Sequence, residues 1–309
     1  MSERPSRRAG SRPRKSAAPA SAAPQAVAQP IAVSGSQSGL GLAIRQRLEA
    51  SGRQVIGIDL PGKGAEVEAD LSTEAGRTAA VEGVLERCDG TLAGLVANAG
   101  VDSPNAQLTF DVNFRGAVDL LEGLRPALAR AGRAAAVVTV SHAVMISPGI
   151  RSAAADALLA GHGRRAALYA GRSPGAPYAV SKLALARWIR RHAATAAWAG
   201  AGISLNGVCP GAIHTPLLEK DLADPMKGRI IRAMPQPLGA IAQPSDLAGI
   251  FEFLLSPEAR YIVGQLLVTD GGLESLWRGE DWPRPWSVSM PGFLLRLFGS
   301  RAVAAAKAR

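Results

Sequence analysis

"PIAVSGSQSGLGLAIRQRLEASGRQVIGIDL", residues 30–60, decides the fold of this chain. Residues 31–33 read as a short apolar strand that ends in a glycine-rich turn built on Gly35, Gly39 and Gly41. A helix is predicted over 40–50, with Leu42, Ile44 and Leu48 as its apolar positions, and residues 54–59 form a second strand ending in Asp59. Strand, turn, helix and strand in that order make the crossover that parallel pairing requires.

The alternation continues along the chain. Val81, Val84 and Leu85 mark a helix before a strand at 94–97, and a helix around 105–130 leads to a strand at 135–140. A helix over 179–197 precedes a strand at 203–208, and a helix over 245–255 precedes a strand at 265–269. Strands this apolar need cover on both faces, so the expected fold class is α/β, a Rossmann-type doubly wound parallel sheet in a single domain. Two segments fall outside a minimal sheet. Residues 143–177 form a long insertion with a helix over 152–160 and further helical character to residue 170, and a structured loop of this length is usually functional. The extension 273–309 holds Trp277, Trp282 and Trp286 and ends "GFLLRLFGSRAVAAAKAR". It reads either as a segment that packs on the body or a partner subunit, or as an amphipathic surface or membrane-facing helix.

The formal charge of +10 is unevenly placed. Residues 1–30 carry six Arg or Lys against Glu3, and 273–309 carry six against three, which leaves +2 for residues 31–272. A body so close to neutral offers no basic patch, so no nucleic-acid partner is expected. The first 30 residues contain little but Ser, Arg, Ala and Pro, with no apolar stretch for a signal peptide, and read as a disordered basic tail. No run long enough to be a transmembrane segment occurs. Cys88 and Cys209 sit in apolar contexts without metal-ligand spacing, which suggests core thiols and a reducing, cytoplasmic location. No histidine or carboxylate cluster points to a metal.

The glycine turn has a chemical reading. A backbone that passes close to a pyrophosphate cannot carry side chains there, and a helix starting at that point offers free N–H groups to the charge. The spacing is G-x-x-x-G-x-G. Asp59, at the end of the second strand, is placed to hold both adenosine ribose hydroxyls and to repel a 2′-phosphate, so NAD(H) is preferred. Lys63 softens that preference and leaves NADP(H) open. Asp70, in "VEADLS", is expected near the adenine edge, with a solvated loop acid as the alternative.

The glycine turn, "NAG" at 98–100, "YAVSK" at 178–182 and "CPG" at 209–211 occur in that order. Together they resemble the short-chain dehydrogenase/reductase family over residues 31–272. The stretch "NGVCPGAIHTPLLEKDLADP" and the long insertion are similar to its bacterial 3α-hydroxysteroid dehydrogenase/carbonyl reductase branch. The resemblance implies a seven-stranded central sheet and a homodimer or homotetramer. It also implies hydride transfer between a nicotinamide and a carbonyl or secondary alcohol, with a small hydrophobic substrate. By position, Gly35, Ser36, Gly39, Leu40 and Gly41 match the coenzyme turn, and Asn98, Ala99 and Gly100 the segment bordering the adenosine site. Asn113 matches the residue supporting a proton-relay water, Tyr178 the acid/base and Lys182 its activating partner. Pro210, Gly211, Ile213 and Thr215 match the stretch flanking the nicotinamide. The residues agree with this. Tyr178 and Lys182 are four apart on one helix and share a face, and an ammonium beside a phenol favours the phenolate.

The chain departs from the family at one point. Two adjacent serines are expected after the strand at 135–140, the second of them catalytic, yet the sequence reads Ser141-His142. Three readings are open. His142 donates the hydrogen bond itself; Ser141, or Ser147 of the insertion, moves into the pocket; or the fold serves altered, non-redox chemistry or coenzyme binding alone. The apolar residues of 143–170 and 216–234 are expected to form a mobile lid. His162 and His192 are expected to have no part in the site, and His214 is placed either at the substrate mouth or in water.

Overall fold

Seven parallel strands organise the chain in the computed structural model, which describes residues 29–171 and 175–281 together with Ser289 and Pro291. They are β1 (Ile31–Ser34), β2 (Val55–Asp59), β3 (Val67–Glu68), β4 (Gly94–Ala97), β5 (Ala134–Thr139), β6 (Ile203–Pro210) and β7 (Leu266–Thr269). Their order in the sheet is β3-β2-β1-β4-β5-β6-β7. Ile31 pairs with both Val55 and Gly94, and Thr139 pairs with Val208, so the ladder is continuous through the centre.

The helices are α1 (Gly39–Ala50), α2 (Glu74–Arg87), α3 (Ala106–Phe110), α4 (Ala117–Arg130), α5 (Ala143–Ile146) and α6 (Ser152–Leu159). They continue with α7 (Gly163–Ala170), α8 (Ala176–His192), α9 (Pro216–Ala223), α10 (Pro225–Ala233), α11 (Pro244–Leu254) and α12 (Leu273–Arg278). Side chains alternate across a strand, which explains why uniformly apolar strands fill two cores. Ala32, Leu95 and Val138 face one layer with Leu120 and Leu124 of α4 and Ile189 of α8. Ile31, Val33, Val96 and Val137 face the other, with Ile44 and Leu48 of α1 and Phe251 and Leu254 of α11. The doubly wound sheet expected from the sequence is therefore the observed one.

Several boundaries differ for local physical reasons. Leu40, not Leu42, joins Ile44 and Leu48 on the buried face of α1. The helix expected over 105–130 is α3 and α4 joined by a π-helical segment, Asp111–Gly116. That segment adds a residue to the turn and re-aims Asn113, a device common at functional sites. α8 stops at His192, beyond which the Thr195 hydroxyl bonds the His192 carbonyl. β3 is two residues long and shows no periodicity to read.

The insertion divides: residues 146–151 line the cavity described below, and part of α6–α7 enters the core. Ala154, Ala155 and Leu158 of α6 and Ala166 of α7 are buried in the same layer as α8, and Arg187 of α8 binds Asp156 and Ser152. Residues 1–28 of the expected basic tail lie outside the described residues. So do Trp282, Trp286 and most of the C-terminal extension, whereas Trp277 lies on α12. No helix among the described residues is long and apolar enough to cross a membrane.

Candidate active site

The carboxyl ends of β1, β4, β5 and β6 open into one cavity of about 1380 Å³. That exceeds the roughly 300–1,000 Å³ of an ordinary ligand pocket and leaves room for two ligands side by side. One end is the glycine turn. Gly35 and Gly39 have φ of +67° and +52°, the left-handed region where a side chain is strained. A Cβ on Gly41 would overlap the Gly35 carbonyl oxygen, so only glycine lets α1 begin this close to β1. The N-cap of α1, Ser38, makes no side-chain cap, so the first N–H groups of the helix are left to the cavity. A bare, dipolar, glycine-lined cradle fits a pyrophosphate.

The predicted cofactor residues divide into three groups. Gly35, Gly39, Leu40, Asn98, Ala99, Gly100, Tyr178, Lys182, Pro210, Gly211, Ile213 and Thr215 line the cavity. Asp59 is not among the lining residues but is tied to the glycine turn beside it: its carboxylate accepts the Gln37 N–H at 2.9 Å and the Leu60 N–H at 2.8 Å. Gly41, Ser36 and Asp70 do not reach the cavity. The Ser36 hydroxyl is buried against Gly57, and Asp70 accepts the Ser72 N–H to close its own turn. Ser38 lines the cavity and escapes the motif reading; a serine just before a helix start is its signal.

Asn98 ties three strands together. Its side chain donates to the Ser34 carbonyl and accepts from the Thr139 hydroxyl at 2.9 Å. Thr215, expected to bond a coenzyme, caps α9 by accepting the Leu218 N–H, and its methyl faces Gly39. Asn113 is 0% exposed; its amide donates to the Val101 carbonyl and to Ser181 Oγ, and its oxygen accepts the Val101 N–H. Both amide N–H donors of Asn113 are thus used within the fold.

Tyr178 and Lys182 meet at the cavity floor, as the four-residue spacing requires. Lys182 Nζ donates to the Thr139 carbonyl at 2.7 Å and stands 5.8 Å from the Tyr178 ring centre. Burial pushes the Lys182 pKa down to about 8. Burial also pushes the Tyr178 phenol up to about 12, helped by the carboxylates of Asp102 and Asp221 and opposed by a hydrogen bond with the Ser141 side chain. The direction is opposite to the one expected from the ammonium alone.

Ser141 and His142 both line the cavity. Ser141 Oγ accepts the Ala143 N–H at 3.1 Å and is the side chain whose hydrogen bond opposes the rise in the phenol pKa. The backbone N–H of His142 bonds the Pro210 carbonyl, and its ring Nδ1 lies 3.4 Å from Asp270 Oδ2 beyond β7. Burial holds the imidazole below its usual pKa, against the pull of Asp270, and a neutral ring donating Nδ1–H suits that contact. Asp270 also accepts the N–H groups of Gly272 and Glu274 and so anchors the start of α12. Ser147 lines the cavity farther out. His214 is exposed, His192 stacks on Trp188, and His162 borders a second, basic hollow with Arg115, Arg164 and Arg165. Among the described residues no metal-binding cluster is present.

The outer wall is largely apolar, with Arg151, Lys220, Asp221, Lys227 and Asp102 as its charged residues. Ile146, Ile150, Leu217, Ile231, Met234 and Trp277 line it. Lys227 of α10 bonds Asp102 Oδ2 at 2.6 Å and Asp221 Oδ1 at 2.9 Å. Positions 102 and 227 are 125 residues apart, and no sequence signal links them.

Known proteins share this arrangement. A family model described as short chain dehydrogenase matches residues 29–154, and one described as enoyl-(acyl carrier protein) reductase matches 164–274. The chain is 41% identical over 254 residues to a 3-alpha-hydroxysteroid dehydrogenase/carbonyl reductase of Comamonas testosteroni, covering 80% of this chain and 97% of that one. It is 29% identical over 263 residues to a cis-4-hydroxycyclohexanecarboxylate dehydrogenase of Sinomonas cyclohexanicum, covering 80% and 98%. The 3-alpha-hydroxysteroid dehydrogenase from Pseudomonas sp. B-0831, solved with NADH, superposes with a TM-score of 0.76 at 42% identity, covering 81% and 98%. The doubly wound sheet, the cradle at its carboxyl edge and these likenesses agree: the chain belongs to the short-chain dehydrogenase/reductase family of oxidoreductases.

Proposed function

We propose that this oxidoreductase uses NAD(H) to interconvert a secondary alcohol and a ketone on a hydrophobic cyclic substrate, steroid-like or aromatic. One observation carries the reading: Tyr178, Lys182 and Ser141 line one cavity with the glycine cradle, and Lys182 Nζ lies 5.8 Å from the Tyr178 ring centre. Relatives named for hydroxysteroid and hydroxycyclohexane substrates support the substrate class. Asp59 beside the glycine turn supports NAD(H), since its carboxylate repels a 2′-phosphate. The nearby Arg45 is already held by Glu66 and Glu49 and is not free to bind one. Assembly as a homodimer or homotetramer in the cytoplasm belongs to the same proposal.

Pro210, Gly211 and Ile213 would flank a bound nicotinamide, which would supply or accept the hydride at the substrate carbon. In reduction, Tyr178 and Ser141 donate hydrogen bonds to the carbonyl oxygen, and Tyr178 passes its proton to the oxygen as negative charge develops there. The raised phenol pKa keeps that proton in place at neutral pH. Lys182, while protonated, stabilises the phenolate left behind and is positioned by the Thr139 carbonyl. The apolar wall excludes water from the reacting oxygen. The contact between His142 and Asp270 supports a structural part for His142, and Ser141 in the same cavity as Tyr178 supports redox chemistry over the rival reading of altered chemistry.

The test is NADH and NADPH with a panel of cyclic, steroidal and aryl ketones. Tyr178→Phe is expected to lower kcat by on the order of 10²–10⁴-fold. Ser141→Ala is expected to cost more activity than His142→Ala. Tight coenzyme binding without turnover on any ketone, or His142→Ala as damaging as Tyr178→Phe, would overturn the proposal.

A further inference from the structure

The helix pair α9–α10 is weakly attached to the body. Leu218 and Gly228 are its buried residues, while Met226 and Ile230 are 58% and 53% exposed. Its internal bonds are ample: Asp224 caps α10 by accepting the Met226 and Lys227 N–H groups, and Arg232 bonds the Leu222 carbonyl. Apart from the flanking cap Thr215, every hydrogen bond from the pair to another part of the protein, among the described residues, ends on Asp102. Lys227 Nζ reaches its carboxylate at 2.6 Å and Lys220 Nζ its carbonyl at 3.4 Å. Asp102 is 7% exposed and adjoins Val101, whose N–H and carbonyl are both clamped by Asn113. One end of the contact is rigid and the other rides on two helices that carry Leu217, Ile230 and Ile231 over the cavity.

We propose that Lys227 is a positioning residue whose bond to Asp102 latches α9–α10 over the cavity mouth, and that breaking this one pair opens the site. Asp221 assists from within the pair. It shares the same ammonium, so when Lys227 leaves Asp102 it keeps a partner and the lysine is not stranded. Burial opposes the charge on Lys227, but the hydrogen bonds to both carboxylates overcome it and hold the ammonium protonated. A charge-assisted bond at a single point gives a contact that is strong when made and lost all at once. Its kinetic consequence, control of coenzyme and substrate exchange, rests on the proposed function; the latch itself does not.

Limited trypsin digestion of the full chain without coenzyme tests the latch, because Lys220, Lys227, Arg229 and Arg232 are cleavage sites within the pair. Asp102→Asn and Lys227→Met are each expected to speed cleavage at the remaining sites between 216 and 233 by at least about tenfold, with other sites unchanged. Lys227→Arg is expected to stay protected. The charge exchange Asp102→Lys with Lys227→Asp moves the ammonium to position 102, facing Asp221 and the carboxylate introduced at position 227. It is expected to restore protection, which a merely structural role of Asp102 does not predict. Cleavage of both single variants at the wild-type rate, or no recovery in the exchange, would sink the latch. If Asp102→Asn does not fold, Lys227→Met and Lys227→Arg decide the matter. NADH release followed by fluorescence is expected to quicken in Lys227→Met. A wild-type protein that binds no NADH would defeat the proposed coenzyme, while the digestion still decides the latch.

Discussion

Lys182 serves the chemistry at the expense of the fold. Its folded pKa of about 8 lies below its ordinary 10.5, because burial disfavours the charge. Below the folded value the lysine is protonated in both folded and unfolded chains and the full cost of burying its charge is present. Between the two values the cost shrinks, and above 10.5 it is gone, so this group makes stability rise with pH across that window. The shift corresponds to on the order of 3 kcal/mol, less whatever the hydrogen bond to the Thr139 carbonyl returns. Lys182→Met is therefore expected to be more stable than the wild type at neutral pH by on the order of 1–3 kcal/mol, with the difference fading as pH approaches 10.5. Urea melts across that range check it, and a variant no more stable at neutral pH would refute it. Tyr178 has the opposite sign: its folded value of about 12 lies above its ordinary 10, so the stability it contributes is complete below 10 and is lost as pH rises through 12. Residue parity favours Ser141 on the proposed reading. Thr139 and Ser141 are two apart and share a face, one meeting Asn98 and the other Tyr178. Motif matching places His142 at the catalytic position because it counts residues. Which side chains reach the pocket depends on where the β5 ladder ends, a long-range property.

At the scale of elements, the β1–α1 turn shows what a sequence reveals well. Its glycines follow from the need for close backbone approach, and the structure supplies the contact: a Cβ at Gly41 has nowhere to go but the Gly35 carbonyl. Gly41→Ala is expected to cost on the order of 1–3 kcal/mol and to weaken coenzyme binding. Gly249, inside α11 with open space around its Cα and an ordinary φ, is the contrast. Gly249→Ala is expected to stabilise by ~0.5–1 kcal/mol through helix propensity. Paired thermal melts decide it, and a Gly41→Ala protein as stable as Gly249→Ala would contradict the packing argument. The strands are legible for the same reason as the turn, since an apolar run between breakers is a local signal. β3, the π segment around Asn113 and the core role of α6–α7 are not. A two-residue strand has no period, a π turn differs from an α turn by one residue, and apolar residues in an insertion fit a lid or a core equally well until α8 is seen beneath them. The Asp102–Lys227 contact is the extreme case, with neither residue informative without the other.

Across the whole molecule, the sheet order determines where chemistry can occur. The connections from β1 run outward to β2 and β3, then return across the sheet to β4, which leaves a crevice between β1 and β4 at their carboxyl ends. Gly35 follows β1, Asn98 follows β4, Ser141 follows β5 and Gly211 follows β6, so residues far apart in sequence converge without special loops. Asp59 belongs to the same geometry at the end of β2, one strand beyond the crevice, where its two backbone hydrogen bonds fix the carboxylate before any ligand arrives. On the proposed function, such a preformed acid would discriminate by charge, accepting ribose hydroxyls and repelling a phosphate in their place. The +10 charge of the chain does not blur this, because the positive excess lies mostly in the terminal segments and the body is nearly neutral. The discrimination is expected to appear as linkage in global stability. At a ligand concentration of about 100 times Kd, a coenzyme that binds only the folded state adds roughly 2.7 kcal/mol. For a chain of this size that is a rise in Tm of about 5 °C. NADH is expected to give this shift at concentrations where NADPH gives little, and Asp59→Ser is expected to narrow the gap by admitting the phosphate. Equal shifts from the two coenzymes in the wild-type protein would mean that Asp59 does not read the ribose.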